Sequence, residues 1–174
     1  MNDSDRVHWL ANRALLWLSA VERLSRPRDP RTLTAWDAWE TLLFGAHACA
    51  LALDHLDRHA DYIIQLQTQL TIEERKLLDA FRDAIRNCRV VELRDTLEHE
   101  EDRVSGINMS RYQDKIHKGR DPGPPSPSWH SYNRRLYKLT VLDTDFDIEK
   151  AIDTALRLEP LLHRLASGTG GAAP

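Results

Sequence analysis

The chain has 174 residues, of which 41% are hydrophobic and 29% charged, and it carries a net charge of −3. That length suffices for one domain with a substantial core. The slightly acidic balance excludes a chain-wide attraction for nucleic acid, so any RNA contact must come from a local basic patch. The N-terminus carries Asp3, Asp5 and Arg6 before any apolar run, unlike a signal peptide. The longest uncharged run, residues 41–53, is too short to span a bilayer. Cys49 and Cys88 fall within apolar helical runs and read as small core residues in a reducing compartment. A cytoplasmic protein with no membrane contact is expected.

Helix one is expected from Ser4, as N-cap, to the residue before Pro27. Val7, Leu10, Ala14, Trp17, Val21 and Leu24 form its apolar stripe, and Trp9 and Trp17 read as packing anchors. Helix two begins near Thr34, with Asp37 three residues on, and is apolar nearly all round from Thr41 to Leu53. His47 in that run reads as a core histidine. The following turns hold Asp54, His55, Asp57, His59 and Asp61, a pattern expected of a solvated helix end. His55 and His59, four apart, share a face and have metal-competent spacing. Residues 62–70 either continue helix two or form a connector, and Thr71-Ile72-Glu73-Glu74 is a capping box opening helix three.

Helix three is expected to run to about Gly106, with a break near Arg89 possible. Leu77, Phe81, Ala84, Cys88 and Val91 recur at spacings of three and four. Continued at 100° per residue, the same stripe reaches Asp95, His99 and Asp102, while Val90, Leu93, Leu97 and Val104 form a second apolar stripe. A helix that is apolar on two sides predicts a homodimer with this helix in its interface.

Residues 108–138 form a Pro- and Gly-containing insertion. Between 111 and 138 seven basic residues (Arg111, Lys115, Lys118, Arg120, Arg134, Arg135, Lys138) face two acidic ones, a local balance of +5. Tyr112, Trp129, Tyr132 and Tyr137 interleave with them, a composition suited to single-stranded nucleic acid. RNA-binding roles are expected for Arg111, Lys115, Lys118, Arg134, Arg135 and Lys138; a solvated, merely Arg-rich loop is the alternative. Leu139 to Leu142 is β-prone without an obvious partner strand. The last helix, capped by Asp145 or Asp147, carries Ile148, Ile152, Ala155, Leu158, Leu162 and Leu165, and Pro160 should kink it. The expected architecture is all-α, an antiparallel bundle of four principal helices with a long irregular insertion before the last. Residues 1–166 make one domain and 167–174 a disordered tail.

The segment Arg94-Asp95-Thr96-Leu97-Glu98-His99 reads as Arg, four residues, His, with a polar residue directly after the Arg. It resembles the R-x4-6-H signature of the HEPN superfamily, helical bundles that include metal-independent endoribonucleases and many prokaryotic toxins. The resemblance implies cleavage of single-stranded RNA to a 2′,3′-cyclic phosphate without a cofactor, homodimerisation, and a possible antitoxin protein as partner. It gives His99 the acid–base role, Arg94 the scissile phosphate and Asp95 the orientation of one of them. An imidazole suits this task because it titrates near neutral pH.

Arg94 and His99 lie about 140° apart on one straight helix, so convergence requires a helix break or a site shared between two chains. Glu98, Glu100, Glu101 and Asp102 surround His99, which disfavours phosphate and favours the charged imidazole. Two other readings stay open. In one, Arg94 pairs with Glu98 and Asp95 with His99 as buried ion pairs in a non-catalytic, HEPN-like dimeric binding module. In the other, Asp95, His99 and Asp102 join His55 and His59 in a metal-binding bundle.

Overall fold

Apolar residues at helical spacing build six helices among the described residues: α1 (Asp3–Ser25), α2 (Ala35–Leu66), α3 (Ile72–Asn87), α4 (Val90–Glu98), α5 (Glu149–Leu156) and α6 (Glu159–Ala166). The computed structural model describes residues 2–25, 35–66, 70–98, 130–133, 138–141 and 144–168. Most of these are helical. No helix among them is long and apolar enough to cross a membrane.

The cap of the first helix lies two residues earlier than expected. Asn2 Oδ1 accepts the Asp5 N–H at 2.8 Å, so Asn2 rather than Ser4 satisfies the free amides of the first turn. α2 continues without interruption to Leu66. Thr34, its expected cap, lies outside the described residues. The capping box at α3 forms as read: Glu74 N–H donates to Thr71 Oγ1 at 3.2 Å, and Thr71 N–H donates to Glu74 Oε2 at 2.9 Å. The other carboxylate oxygen of Glu74 meets Arg164 of α6 at 2.6 Å. Pro160 sits in the first turn of α6, just after the turn at Arg157–Leu158 that separates it from α5. An interior proline would cost a hydrogen bond there, and a first-turn proline costs none.

α2 packs against α1, α3, α4 and α5, and α1 also packs against α6. The core is correspondingly continuous. Leu53, Leu56 and Ile63 of α2 are fully buried with Phe81 of α3, Leu93 of α4, Ile152 of α5 and Leu162 of α6. His47 lies on the flank, half-buried, not in the core.

Helix three of the sequence reading is two helices. The chain leaves the helix at Cys88 and Arg89, and Arg89 adopts φ 55°, a left-handed conformation unusual for a side chain of this size. The Arg89 guanidinium grips Glu92 through two hydrogen bonds, 2.7 and 2.6 Å, and lies over the Phe146 ring at 5.0 Å. This joint resets the helical phase. Beyond it the buried positions are Val90, Leu93, Thr96 and Leu97, while Val91 is 41% exposed. The stripe carried straight from Phe81 to Asp95 therefore does not exist. Val90, Leu93 and Leu97 of the second stripe are the core face of α4, with Leu77 and Cys88 half-buried against the same core. Of the pattern that suggested a dimer, Phe81, Ala84, Val90, Leu93 and Leu97 are buried in this core, Val91 is exposed, and Val104 lies outside the described residues.

Beside this mostly helical frame, three short strands pair among the described residues. β1 (His130–Asn133), β2 (Lys138–Val141) and β3 (Thr144–Asp147) pair antiparallel in the order β1-β2-β3. Ser131 stands opposite Thr140, and Leu139 opposite Phe146. The β-prone run at 139–141 thus finds partners on both sides, as its backbone polar groups require. The end of the expected irregular insertion is regular strand. β3 alternates exposed Asp145, buried Phe146 and exposed Asp147, a half-buried strand's period of two. Asp147 still accepts the Glu149 N–H at 3.2 Å as α5 begins.

Candidate functional site

Asp54 is a buried acid on α2, the longest helix among the described residues. Its neighbours Leu53 and Leu56 belong to the core, and its side chain is 6% exposed. A carboxylate in that position needs cations and hydrogen bonds to stay charged. Two arginines supply them. Arg58, one turn along α2, donates to Asp54 Oδ2 at 2.8 Å, and Arg94 Nη1 of α4 donates to the same oxygen.

Arg94 is itself held on further sides. Its Nε donates to Asp95 Oδ1 at 3.0 Å, its Nη2 donates to the same oxygen, and Glu98 Oε2 lies 3.7 Å from Nε. Its side chain is 15% exposed. Burial works against its charge, but the contacts with Asp95 and Asp54 outweigh it and hold the guanidinium protonated. Three carboxylates and two guanidiniums leave the cluster with one negative charge in excess. At least three of the five N–H donors of Arg94 are committed, to carboxylates on two helices.

The sequence reading named Arg94 and Asp95 and missed Asp54, taking residues 54–61 as a solvated helix end. The structure corrects this. Besides the buried Asp54, Asp57 and Asp61 both pair with Arg82 of α3, at 3.4 and 2.7 Å. His55 stacks flat on Trp17 of α1, with ring centroids 4.3 Å apart and planes 7° from parallel. Burial, then the Arg58 charge, push its pKa below the ordinary 6.5, against the pull of Asp54, which favours the neutral ring. His59 Nδ1 lies 2.6 Å from the His55 carbonyl oxygen, which fits an Nδ1–H donor. A charged residue closing an apolar run was the available signal for Asp54; Arg58 lies one turn on, but Arg94 lies 40 positions away, beyond any local spacing.

His99, Arg111, Lys115, Lys118, Arg134 and Arg135 lie outside the described residues, as does Asp102. Lys138 lies on β2. The structure thus brings Arg94 and Asp95 together with Asp54, and the pairing of either with His99 falls beyond α4 as described. Among the described residues no group of three or more His, Cys, Asp or Glu side chains could hold a metal ion. His55 is engaged with Trp17 on α1 and Asp95 with Arg94 on α4. No family model, curated protein or solved structure matches this chain.

Proposed function

We propose that this chain is a HEPN-like helical bundle that works as a binding module, with Arg94 as a structural cation. One observation carries the reading: Arg94 is committed to Asp54, Asp95 and Glu98 with 15% of its side chain exposed. Handing it to a phosphate would strip the buried Asp54 of one of its two cations. The excess carboxylate charge around it would also oppose an incoming anion. The reading needs no second copy, because most of the apolar residues that argued for a dimer, among them Phe81, Val90, Leu93 and Leu97, face one core.

A second reading is favoured by a different contact. Asp95 accepts two bonds from Arg94, the orienting role that the resemblance implies for the polar residue after the Arg. On this reading the remaining donors of Arg94 take the scissile phosphate and His99 moves the proton. The protein is then a metal-independent endoribonuclease of toxin type, with an antitoxin protein as partner.

One pair of measurements separates the two. Full-length protein is incubated with single-stranded RNA in EDTA, and the denaturation midpoints of wild type, Arg94→Ala and Arg94→Lys are compared. The binding-module reading expects intact RNA and a loss of about 3 kcal/mol in Arg94→Ala, typical of removing one partner of a buried ion pair. Cleavage in EDTA that His99→Ala and Arg94→Lys abolish, with unchanged midpoints, would overturn it in favour of the nuclease.

A further inference from the structure

Trp9 reads as a packing anchor in the sequence, yet it is 51% exposed, and Leu16, one heptad further along α1, is 61% exposed. Single apolar side chains in water are unexceptional, but these two share a face that the core does not use. Val7, Ala14 and Val21 of the same helix are buried. Trp9 and Leu16 lie two positions beyond Val7 and Ala14, about 200° further round the helix, and so stand on its outer face. That face has a definite spacing. Trp9, Arg13, Leu16, Ala20 and Arg23 follow one another at gaps of four, three, four and three residues. Alternating gaps of four and three make the seam along which one helix meets another in a coiled coil. Ala20 is half-buried and the other four are exposed.

Two of these positions are cationic. The Arg13 guanidinium lies 5.4 Å from the centre of the Trp9 ring, a cation–π contact that keeps it beside the apolar pair. Among the described residues no carboxylate pairs with Arg13 or Arg23, whereas Arg6 of the same helix pairs with Asp3 at 3.3 Å. The two guanidiniums are ten residues apart, about 15 Å along the axis, with Leu16 between them. The same face carries one acid, Asp5, one turn before Trp9.

We propose that the outer face of α1 docks an acidic amphipathic helix of a partner protein, its apolar side chains on Trp9 and Leu16 and its carboxylates on Arg13 and Arg23. The seam spacing fits a helical occupant, which meets side chains three, four and seven residues apart. Tryptophan and arginine are the side chains that most often carry binding energy once a partner covers them. The charge fits as well, because two guanidiniums without carboxylate partners call for acids opposite them. A second copy of this face would bring two further arginines with each Asp5 and leave cations unanswered. A lipid surface would call for a broad, continuous apolar stripe, and here apolar and cationic positions alternate. The proposal gives the binding module a surface and a class of partner, and it is independent of Arg94, which lies on α4.

The test uses the full chain and two labelled helical peptides of about three heptads, each with leucine on one face. One peptide carries glutamate on both flanks of that face and the other carries lysine there. Binding is followed by anisotropy and by tryptophan emission. The glutamate peptide should bind in the micromolar range, as a one-helix contact smaller than a standard interface allows, and should weaken as salt rises. The lysine peptide should bind at least roughly ten-fold more weakly. Trp9→Ala and Leu16→Ala should each weaken the glutamate peptide by roughly ten-fold, the scale of losing an anchor side chain, and Trp9→Phe should retain most of the affinity. Arg13→Glu combined with Arg23→Glu should reverse the preference, so that the lysine peptide becomes the tighter. These side chains are exposed, so unchanged thermal midpoints will confirm that the variants fold. Absence of binding at about 1 mM glutamate peptide, equal affinity for the two peptides, or unchanged affinity in Trp9→Ala and Leu16→Ala would each overturn the proposal. A dimer of the protein alone that Trp9→Ala dissociates would reassign the face to a second copy. Binding to phosphatidylserine vesicles without peptide binding would reassign it to a lipid surface. RNA cleavage in EDTA, scored separately, bears on Arg94 alone.

Discussion

Two arginines fasten neighbouring helices to α2, and their surroundings differ. Arg82 of α3 reaches Asp57 and Asp61 in a partly hydrated setting, with all three side chains between 22% and 32% exposed. Arg94 of α4 reaches Asp54 in a setting where the two side chains are 15% and 6% exposed. Water competes with the first set and scarcely with the second. The same pairing of one arginine with α2 carboxylates is therefore replaceable in one place and not in the other. α4 depends on Val90, Leu93 and Leu97 in the core and on this ion cluster at its flank.

The largest expected effect tests that difference directly. In urea denaturation, Arg94→Ala should lose about 3 kcal/mol and Arg82→Ala about 1 kcal/mol or less. Equal losses would mean that burial does not separate the two sets. A smaller effect concerns the joint that delivers α4 to its place. Arg89→Ala keeps the left-handed strain while removing the Glu92 and Phe146 contacts, and Arg89→Gly removes the strain as well. The Gly variant should be the more stable of the two by about 1 kcal/mol. If Ala is the better tolerated, the turn has relaxed to another conformation.

The smallest effect sharpens the hydrated set. Burial pushes the Asp57 carboxyl above its ordinary 3.8, by more than Arg82 pulls it down. A raised folded-state value means that the folded chain holds this proton more tightly than the unfolded one. The group's contribution therefore favours folding at low pH and is lost as pH rises through the folded value. Asp57→Asn should change stability at pH 7 by no more than about 0.5 kcal/mol. The difference between variant and wild type should move in favour of the wild type as pH falls from 7 towards 4. Movement in the other direction would show that the bond to Arg82 outweighs burial.

These contrasts also mark what could be read from sequence. Helix spans follow from apolar spacing, and the α3 capping box and the interruption near Pro160 follow from residues whose chemistry is local. The Cys88–Arg89 turn carries neither glycine nor proline, so its exact place was silent, and the phase of everything beyond it was misread. Val91 and Asp95 were assigned to the core face for that reason. β3 was legible in principle as Asp145-Phe146-Asp147, but aspartates before a helix read equally well as caps. Of the candidate site, Arg94 and Asp95 were found through a short motif. Asp54 was not, because what makes it important is a partner on another helix, and a carboxylate at the end of an apolar run looks the same whether it meets water or an arginine.

The divided use of Glu74 couples the start of α3 to the end of α6. One of its oxygens closes the cap at Thr71 and the other meets Arg164, near the end of the last helix. Burial raises its carboxyl pKa, but the Thr71 N–H and Arg164 outweigh that and bring it below the ordinary 4.5. Fraying at the end of α6 therefore loosens the first turn of α3 as well, and amide protection in these two segments, remote in sequence, should fall together. Acid should open that same latch: its contribution is complete above pH 4.5 and is lost as pH drops through the lowered value.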